Sequence, residues 1–213
     1  MDRRAAQLVC YQDDFLASRY INFVQWVWSS ERAVSDRTEL SEAVAQNLHK
    51  LLAYKDEYEV ARLLTDPRFV QAVQAEVPGG HNLTYKLHPP TLKALGRTGK
   101  IGFGPRTHLA LRVLSKGKVL RGTRFDPFGY TRVRRIERQL VADYEATVRK
   151  LVDRLTIDSY DMTLAVALAP DIVRGYEDVK LRNIERYRAR LRELSVDSPA
   201  VMDPTDKKEN GCG

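Results

Sequence analysis

Between Thr131 and Leu155 the apolar residues Val133, Ile136, Leu140, Tyr144, Val148, Leu151 and Leu155 recur at steps of three or four. That period defines one apolar stripe along a helix, and a chain that carries it must supply other apolar faces to cover it. Several stretches are built to do so. From Arg3 to Arg32 the residues Leu8, Phe15, Tyr20, Phe23, Val24 and Val27 recur at mixed steps, and Trp26 and Trp28 widen the surface, which predicts an opening helix. Asp36, with Glu39 at the third helical position, has the pattern of a capping box and predicts a second long helix running to Leu64. Asp66-Pro67 opens a short helix to Glu76, closed by Pro78-Gly79-Gly80. Helices are expected again over 106–115, 159–169 and 178–194.

The middle of the chain behaves differently. Leu83, Tyr85 and Leu87 alternate with polar neighbours, and Pro89-Pro90, Gly96, Gly99, Gly102, Gly104 and Pro105 interrupt the stretch up to residue 105. The fold class read from this pattern is mainly α: a helical bundle with a small irregular Gly/Pro-rich insertion that has room for a short β-hairpin. Residues 1–194 are expected to form a single helical domain, and 195–213 a disordered polar tail.

Composition narrows the function classes. The longest uninterrupted apolar stretch, Leu164 to Ala169, is far short of the roughly 20 residues that cross a bilayer. The start, Met1-Asp2-Arg3-Arg4, leads into an amphipathic segment and not into an apolar secretory core, so a cytoplasmic setting without a membrane partner is expected. Cys10 and Cys212 sit near opposite ends, and His49, His81, His88 and His108 are scattered, which is neither a disulfide framework nor a metal-ligand spacing. A phosphate-binding G-x-x-x-x-G-K-[ST] loop, a G-x-S-x-G elbow and a dinucleotide fingerprint are all missing from the sequence. The formal charge of +7 suits an anionic partner, yet basic and acidic residues are mixed along most helices, as on a solvated surface.

Two segments draw attention chemically. Placed at 100° steps, Leu40, Val44, Leu48, Leu51 and Leu52 form the apolar stripe of the second helix, and Lys55, Tyr58, Glu59 and Arg62 continue it. Charged groups on a core-facing stripe are costly unless paired, and Lys55 with Glu59 has the i,i+4 spacing for a pair. Either these groups emerge into water, or they form an inter-domain or ligand-facing network. The other segment runs from Leu120-Arg-Gly-Thr-Arg-Phe-Asp-Pro-Phe-Gly-Tyr-Thr131 into Arg132, Arg134, Arg135 and Arg138, with Thr131 as N-cap. Positive side chains in a first helical turn oppose the macrodipole. Two readings stand: Arg121 and its neighbours hold a phosphate or carboxylate, or Asp126, Glu137 and the aromatic Phe125, Phe128 and Tyr130 absorb them in a packed turn.

The same residues carry a family likeness. Leu52-Ala-Tyr-Lys-Asp-Glu-Tyr-Glu-Val-Ala-Arg-Leu-Leu64, Leu87-His-Pro-Pro90, Phe103-Gly-Pro105, Leu120-Arg-Gly-Thr123 and Asp126-Pro-Phe-Gly-Tyr-Thr131 occur in order. They continue with Arg134-Arg135, Glu137-Arg138, Asp143-Tyr-Glu145, Arg174-Gly175 and Val179-Lys180. This set resembles the C-terminal region of the fused indolepyruvate ferredoxin oxidoreductases, from about Arg3 to Leu194. The resemblance implies a part of an enzyme that oxidatively decarboxylates aryl 2-oxoacids to acyl-CoA and passes electrons to ferredoxin. Thiamine diphosphate, 4Fe-4S clusters and CoA would serve the complete enzyme, with none bound by this chain alone. The implied partners are the thiamine-binding, iron–sulfur and other domains or subunits of that enzyme, and ferredoxin indirectly.

On this reading no residue of the chain is catalytic. The binding or inter-domain residues are Lys55, Tyr58, Glu59, Arg62, Arg121, Asp126, Tyr130, Arg134, Arg135, Arg138 and Lys180. Two alternatives from other classes are a basic nucleic-acid-binding helical domain, against which the interspersed Glu137, Asp143 and Glu145 argue, and an autonomous enzyme on an anionic metabolite with Lys55 or Glu59 moving the proton.

Overall fold

The long apolar period of the sequence is realised as a helix in the computed structural model, which describes residues 2–76, 85–87, 101–103, 107–175 and 177–194. Among these the helices are α1 (Asp2–Tyr11), α2 (Asp14–Val34), α3 (Glu39–Leu52), α4 (Glu57–Leu64), α5 (Pro67–Glu76), α6 (Thr107–Lys116), α7 (Arg132–Val152), α8 (Tyr160–Leu168) and α9 (Glu177–Glu193). Gly117–Leu120 and Ala169–Ile172 form 3-10 turns. Two three-residue strands, β1 (Tyr85–Leu87) and β2 (Ile101–Phe103), pair antiparallel with Lys86 opposite Gly102. The architecture is mainly α. The breakers at Pro78-Gly79-Gly80, Pro89-Pro90, Gly96, Gly99, Gly104 and Pro105, and the tail 195–213, lie outside the described residues.

Two helices expected to be continuous are each divided by an aspartate. Asp13 accepts the Leu16 N–H at 2.8 Å and so starts α2 afresh. Asp56 is in an extended conformation and accepts the Glu59 N–H at 2.8 Å, so the helix expected over 36–64 ends at Leu52 and α4 begins separately. Asp36 is no cap. Its side chain is fully exposed and, among the described residues, pairs with Arg32, while α3 is capped from α2 by Glu31.

The chain gathers into two compact units. Among the described residues the first comprises 18–52, 135–175 and 177–194. Here Leu40, Val44, Leu48, Leu51 and Leu52 of α3 are all buried, as the stripe requires, and α3 packs on α8. Leu140, Val166, Ala169, Val173, Ile184, Tyr187 and Leu191 form a second apolar cluster around α7, α8 and α9. Buried polar groups are tied to backbone: Tyr144 Oη and Asn47 Nδ2 both donate to the Ala167 carbonyl at 3.0 Å. Glu31 is wholly buried, and its two oxygens accept the Leu40 and Ser41 N–H groups at 2.9 Å each, while Tyr160 Oη donates at 2.6 Å.

The second unit comprises, among the described residues, 2–17, 53–76, 85–87, 101–103 and 107–134. Its α4 packs on α6, with Ala61 and Leu111 buried and Leu64 and Leu114 against them. Asp66 accepts the Arg68 N–H ahead of Pro67, as the cap-proline pattern predicts for α5. Lys118 donates to the Val9 and Cys10 carbonyls in the last turn of α1, where a cation complements the helix dipole. No helix among the described residues is long and apolar enough to cross a membrane.

Candidate functional site

Four ionisable residues of the family-like motifs, Asp56, Tyr58, Arg121 and Asp126, come together inside the second unit, around the start of α4. Asp56 does two jobs there. It caps α4, and its carboxylate also takes a forked pair of hydrogen bonds from Arg121, whose Nη2 approaches Oδ1 at 2.8 Å. Both side chains are 4% exposed, so this is a buried ion pair. Arg121 Nη1 donates to the Tyr11 carbonyl at 2.7 Å, and the guanidinium lies 3.7 Å from the centre of the Tyr11 ring. Burial acts to lower the Arg121 pKa, but the Asp56 bonds and charge outweigh it and hold the group charged.

Beside this pair Tyr58 is buried and donates through Oη to Asp126 Oδ1 at 3.1 Å. Burial, and then the Asp126 carboxylate, push the Tyr58 hydroxyl far above its ordinary range, so it stays a donor. Asp126 in turn accepts the Phe128 N–H at Oδ1 and the Gly122 N–H at Oδ2, at 3.2 and 3.1 Å. One carboxylate thereby fixes the turn from Gly122 to Phe128, and Phe128 meets the Tyr58 ring edge-on at 5.2 Å. Gly122, with φ of 75°, takes the left-handed conformation that this turn needs. Gly117 is required by close approach: a Cβ there would lie 2.8 Å from Tyr58 Cε1.

The remaining expected residues of this unit are distributed around the cluster. Lys55 is exposed, and the Glu59 carboxylate binds Arg62 through both oxygens at 2.7 and 2.8 Å, so the expected Lys55–Glu59 pair is replaced by an i,i+3 pair. The break at Asp56 is the reason, because it removes the single helix that the i,i+4 spacing requires. Hydrogen bonding to Glu59 raises the Arg62 pKa. Arg134 donates to the Lys55 carbonyl and to Glu57, and Thr131 Oγ1 accepts the Arg134 N–H at 3.4 Å as the cap of α7. Tyr130 is 63% exposed, with Oη on the Arg124 carbonyl.

Arg135, Arg138 and Lys180 belong to the first unit. Arg135 is exposed and Arg138 half-buried, while Lys180 pairs with the buried Glu137. Lys180 and Glu137 line a cleft with Lys50, Leu51, Leu140 and Val173. Its volume of about 20 Å³ has room for a water. Lys50 donates to the Pro170 and Asp171 carbonyls, and burial, opposed by Asp171, lowers its pKa.

Arg121 and Arg134 are taken up by carboxylates, but by Asp56 and Glu57 where Asp126 and Glu137 were expected, and Arg124, Arg132 and Arg135 stay exposed. Asp126 serves backbone amides and a tyrosine, and Glu137 serves a lysine. The sequence does not mark Asp56 and Glu57 as part of a site, because they read as the interior of a helix. The D-x-x-E spacing of Asp56 and Glu59 is the available signal, since it is a cap pattern of the same kind as that of Asp36 and Glu39. Tyr11 lies far away in sequence and gives none. Among the described residues no group of three His, Cys, Asp or Glu is suited to a metal ion. Of the arginines expected to hold a phosphate or carboxylate, Arg121 and Arg134 are already engaged by Asp56 and Glu57.

Residues 1–193 match the model of a family of unknown function, DUF6537. No curated protein and no solved structure matches the chain.

Proposed function

We propose that this chain, which belongs to the DUF6537 family over residues 1–193, is a non-catalytic structural and docking module of an indolepyruvate-type 2-oxoacid ferredoxin oxidoreductase. The observation that carries the non-catalytic part is the closed polar cluster of the second unit. Asp56, Tyr58, Arg121 and Asp126 satisfy one another, Tyr11 and the surrounding backbone, so none is left poised to move a proton or meet a substrate. Glu59, the carboxylate candidate for proton transfer, is held by Arg62. The oxidoreductase part rests on the family-like motifs, which supply most members of this cluster.

In the complete enzyme, thiamine diphosphate would supply the carbanion chemistry and 4Fe-4S clusters the electron path, both on other domains. This chain would contribute surfaces that position those domains. The test is co-expression of the tagged chain with the thiamine-binding and cluster-bearing parts of such an enzyme. Co-purification in stable stoichiometry, with loss of 2-oxoacid oxidation when the chain is deleted, is the expected result. A chain that never associates, and whose deletion leaves activity intact, refutes the proposal. The cytoplasm is the setting this function requires.

A further inference from the structure

We infer that the outward face of α6, with the turns next to it in the chain, docks an acidic and partly apolar protein surface. That a partner exists rests on the docking function just proposed; where it binds and what it is rest on the charge and exposure of this segment. Between residues 107 and 135 there are eight lysines and arginines and one carboxylate, Asp126, a surplus equal to the +7 of the entire chain. The rest of the sequence is therefore balanced, and the basic character that looks dispersed is concentrated in this segment. Arg121, Arg134 and Lys118 are engaged inside the unit, by Asp56, Glu57 and the end of α1. Arg112, Lys116, Arg124 and Arg132 are exposed and have no ion-pair partner among the described residues.

Apolar side chains are exposed in the same segment. Leu109 is 69% exposed, Val113 66%, Val119 70% and Phe125 81%. At 100° per residue Leu109, Arg112, Val113 and Lys116 share one arc of roughly 100° on α6. Leu111 and Leu114 lie on the other side and pack toward α4. The helix is thus amphipathic inward and carries a second, mixed apolar and cationic face outward.

The mixture selects the occupant. Nucleic acid would use the cations and stack on Phe125, but would set Leu109, Val113 and Val119 against a charged backbone. A lipid surface takes a helix whose apolar and charged faces are separate. Here Arg112 and Lys116 share the arc with Leu109 and Val113, so that immersing one pair would immerse the other. A protein surface with carboxylates set between apolar side chains matches both in one geometry.

The experiment uses the full chain and a fluorescent helical peptide with Leu and Glu interleaved at i, i+3, i+4 and i+7, read by anisotropy. The peptide should bind, and Arg112→Glu/Lys116→Glu and Leu109→Ser/Val113→Ser should each weaken it at least tenfold without changing the far-UV circular dichroism. Arg112→Gln/Lys116→Gln serves if the charge reversal disturbs folding. A peptide with Lys for Glu should bind the charge-reversed variant better than it binds the native chain. The inference is overturned if the acidic peptide fails to bind, if binding ignores either double variant, or if a single-stranded oligonucleotide or a phosphatidylglycerol vesicle binds more tightly through the same residues. No oxidoreductase domain enters this assay, so its failure is distinct from failure to co-purify with such domains.

Discussion

Removing the Asp56 carboxylate should cost the second unit more than any other single change to its polar cluster. In Asp56→Ala the cap of α4 goes, worth about 1 kcal/mol. The Arg121 guanidinium is left charged and buried without its partner, which typically costs about 3–5 kcal/mol. The two losses share one residue and together reach about 4–6 kcal/mol, a large part of the about 5–15 kcal/mol that holds a domain folded. Asp56→Asn keeps an oxygen for the Glu59 N–H and loses only the charge, so it should be less damaging by about the value of the cap. Asp56→Asn/Arg121→Met removes both charges, and should recover much of the loss because a buried pair can be replaced by apolar packing at little cost.

Urea denaturation followed by circular dichroism at 222 nm measures these differences. Tryptophan fluorescence must be followed beside it, since Trp26 and Trp28 both lie in the first unit and do not report on Asp56 directly. If the units unfold together, both probes shift equally; if not, the fluorescence transition stays in place. A cost below about 1 kcal/mol for Asp56→Ala, or additive losses in the double variant, would refute the buried, coupled pair.

Three further outcomes are expected. Gly117→Ala drives a Cβ into the Tyr58 ring, which Asp126 and Phe128 hold, and should cost about 1–3 kcal/mol in the same denaturation assay, with less than additive loss alongside Tyr58→Leu. Glu31→Gln places an amide against donors that need an acceptor, so the tryptophan transition should move by about 1–3 kcal/mol; no movement would refute the capping role. Burial raises the Asp143 pKa, against the Gln139 bond and the Arg188 charge, so the folded state disfavours its charged form. The penalty is present at neutral pH and is relieved as pH falls through the folded pKa toward 3.8, the ordinary value. Asp143→Asn should therefore raise the thermal midpoint at neutral pH by an amount that shrinks on acidification, and a gain independent of pH would refute the assignment.

The helices are legible wherever an apolar period runs unbroken, as from Val133 to Val148, because burial of one stripe dictates both the period and the face. The breaks are not legible. Asp13 and Asp56 sit within stretches whose apolar spacing survives the interruption, and a side-chain bond to one backbone amide decides the local conformation without altering the pattern. The candidate site is half legible for the same reason. Tyr58, Arg121 and Asp126 stand out as polar groups among apolar and turn residues, but their meeting with Tyr11 and Asp56 depends on tertiary packing that no local spacing records. The cap of α3 is misleading in sequence because Glu31, within a helix, reaches forward to amides that lie nearer to Asp36.

That reach has a consequence for how the protein tolerates change. Because one carboxylate joins amides nine and ten residues further along the chain, the connection from Ser35 to Thr38 is closed into a loop of fixed circumference. Asp36 and Thr38 within it are exposed and can be exchanged at little cost, whereas adding or deleting a single residue would carry Leu40 and Ser41 out of register with both oxygens at once. Length, and not composition, is the constrained quantity at this turn.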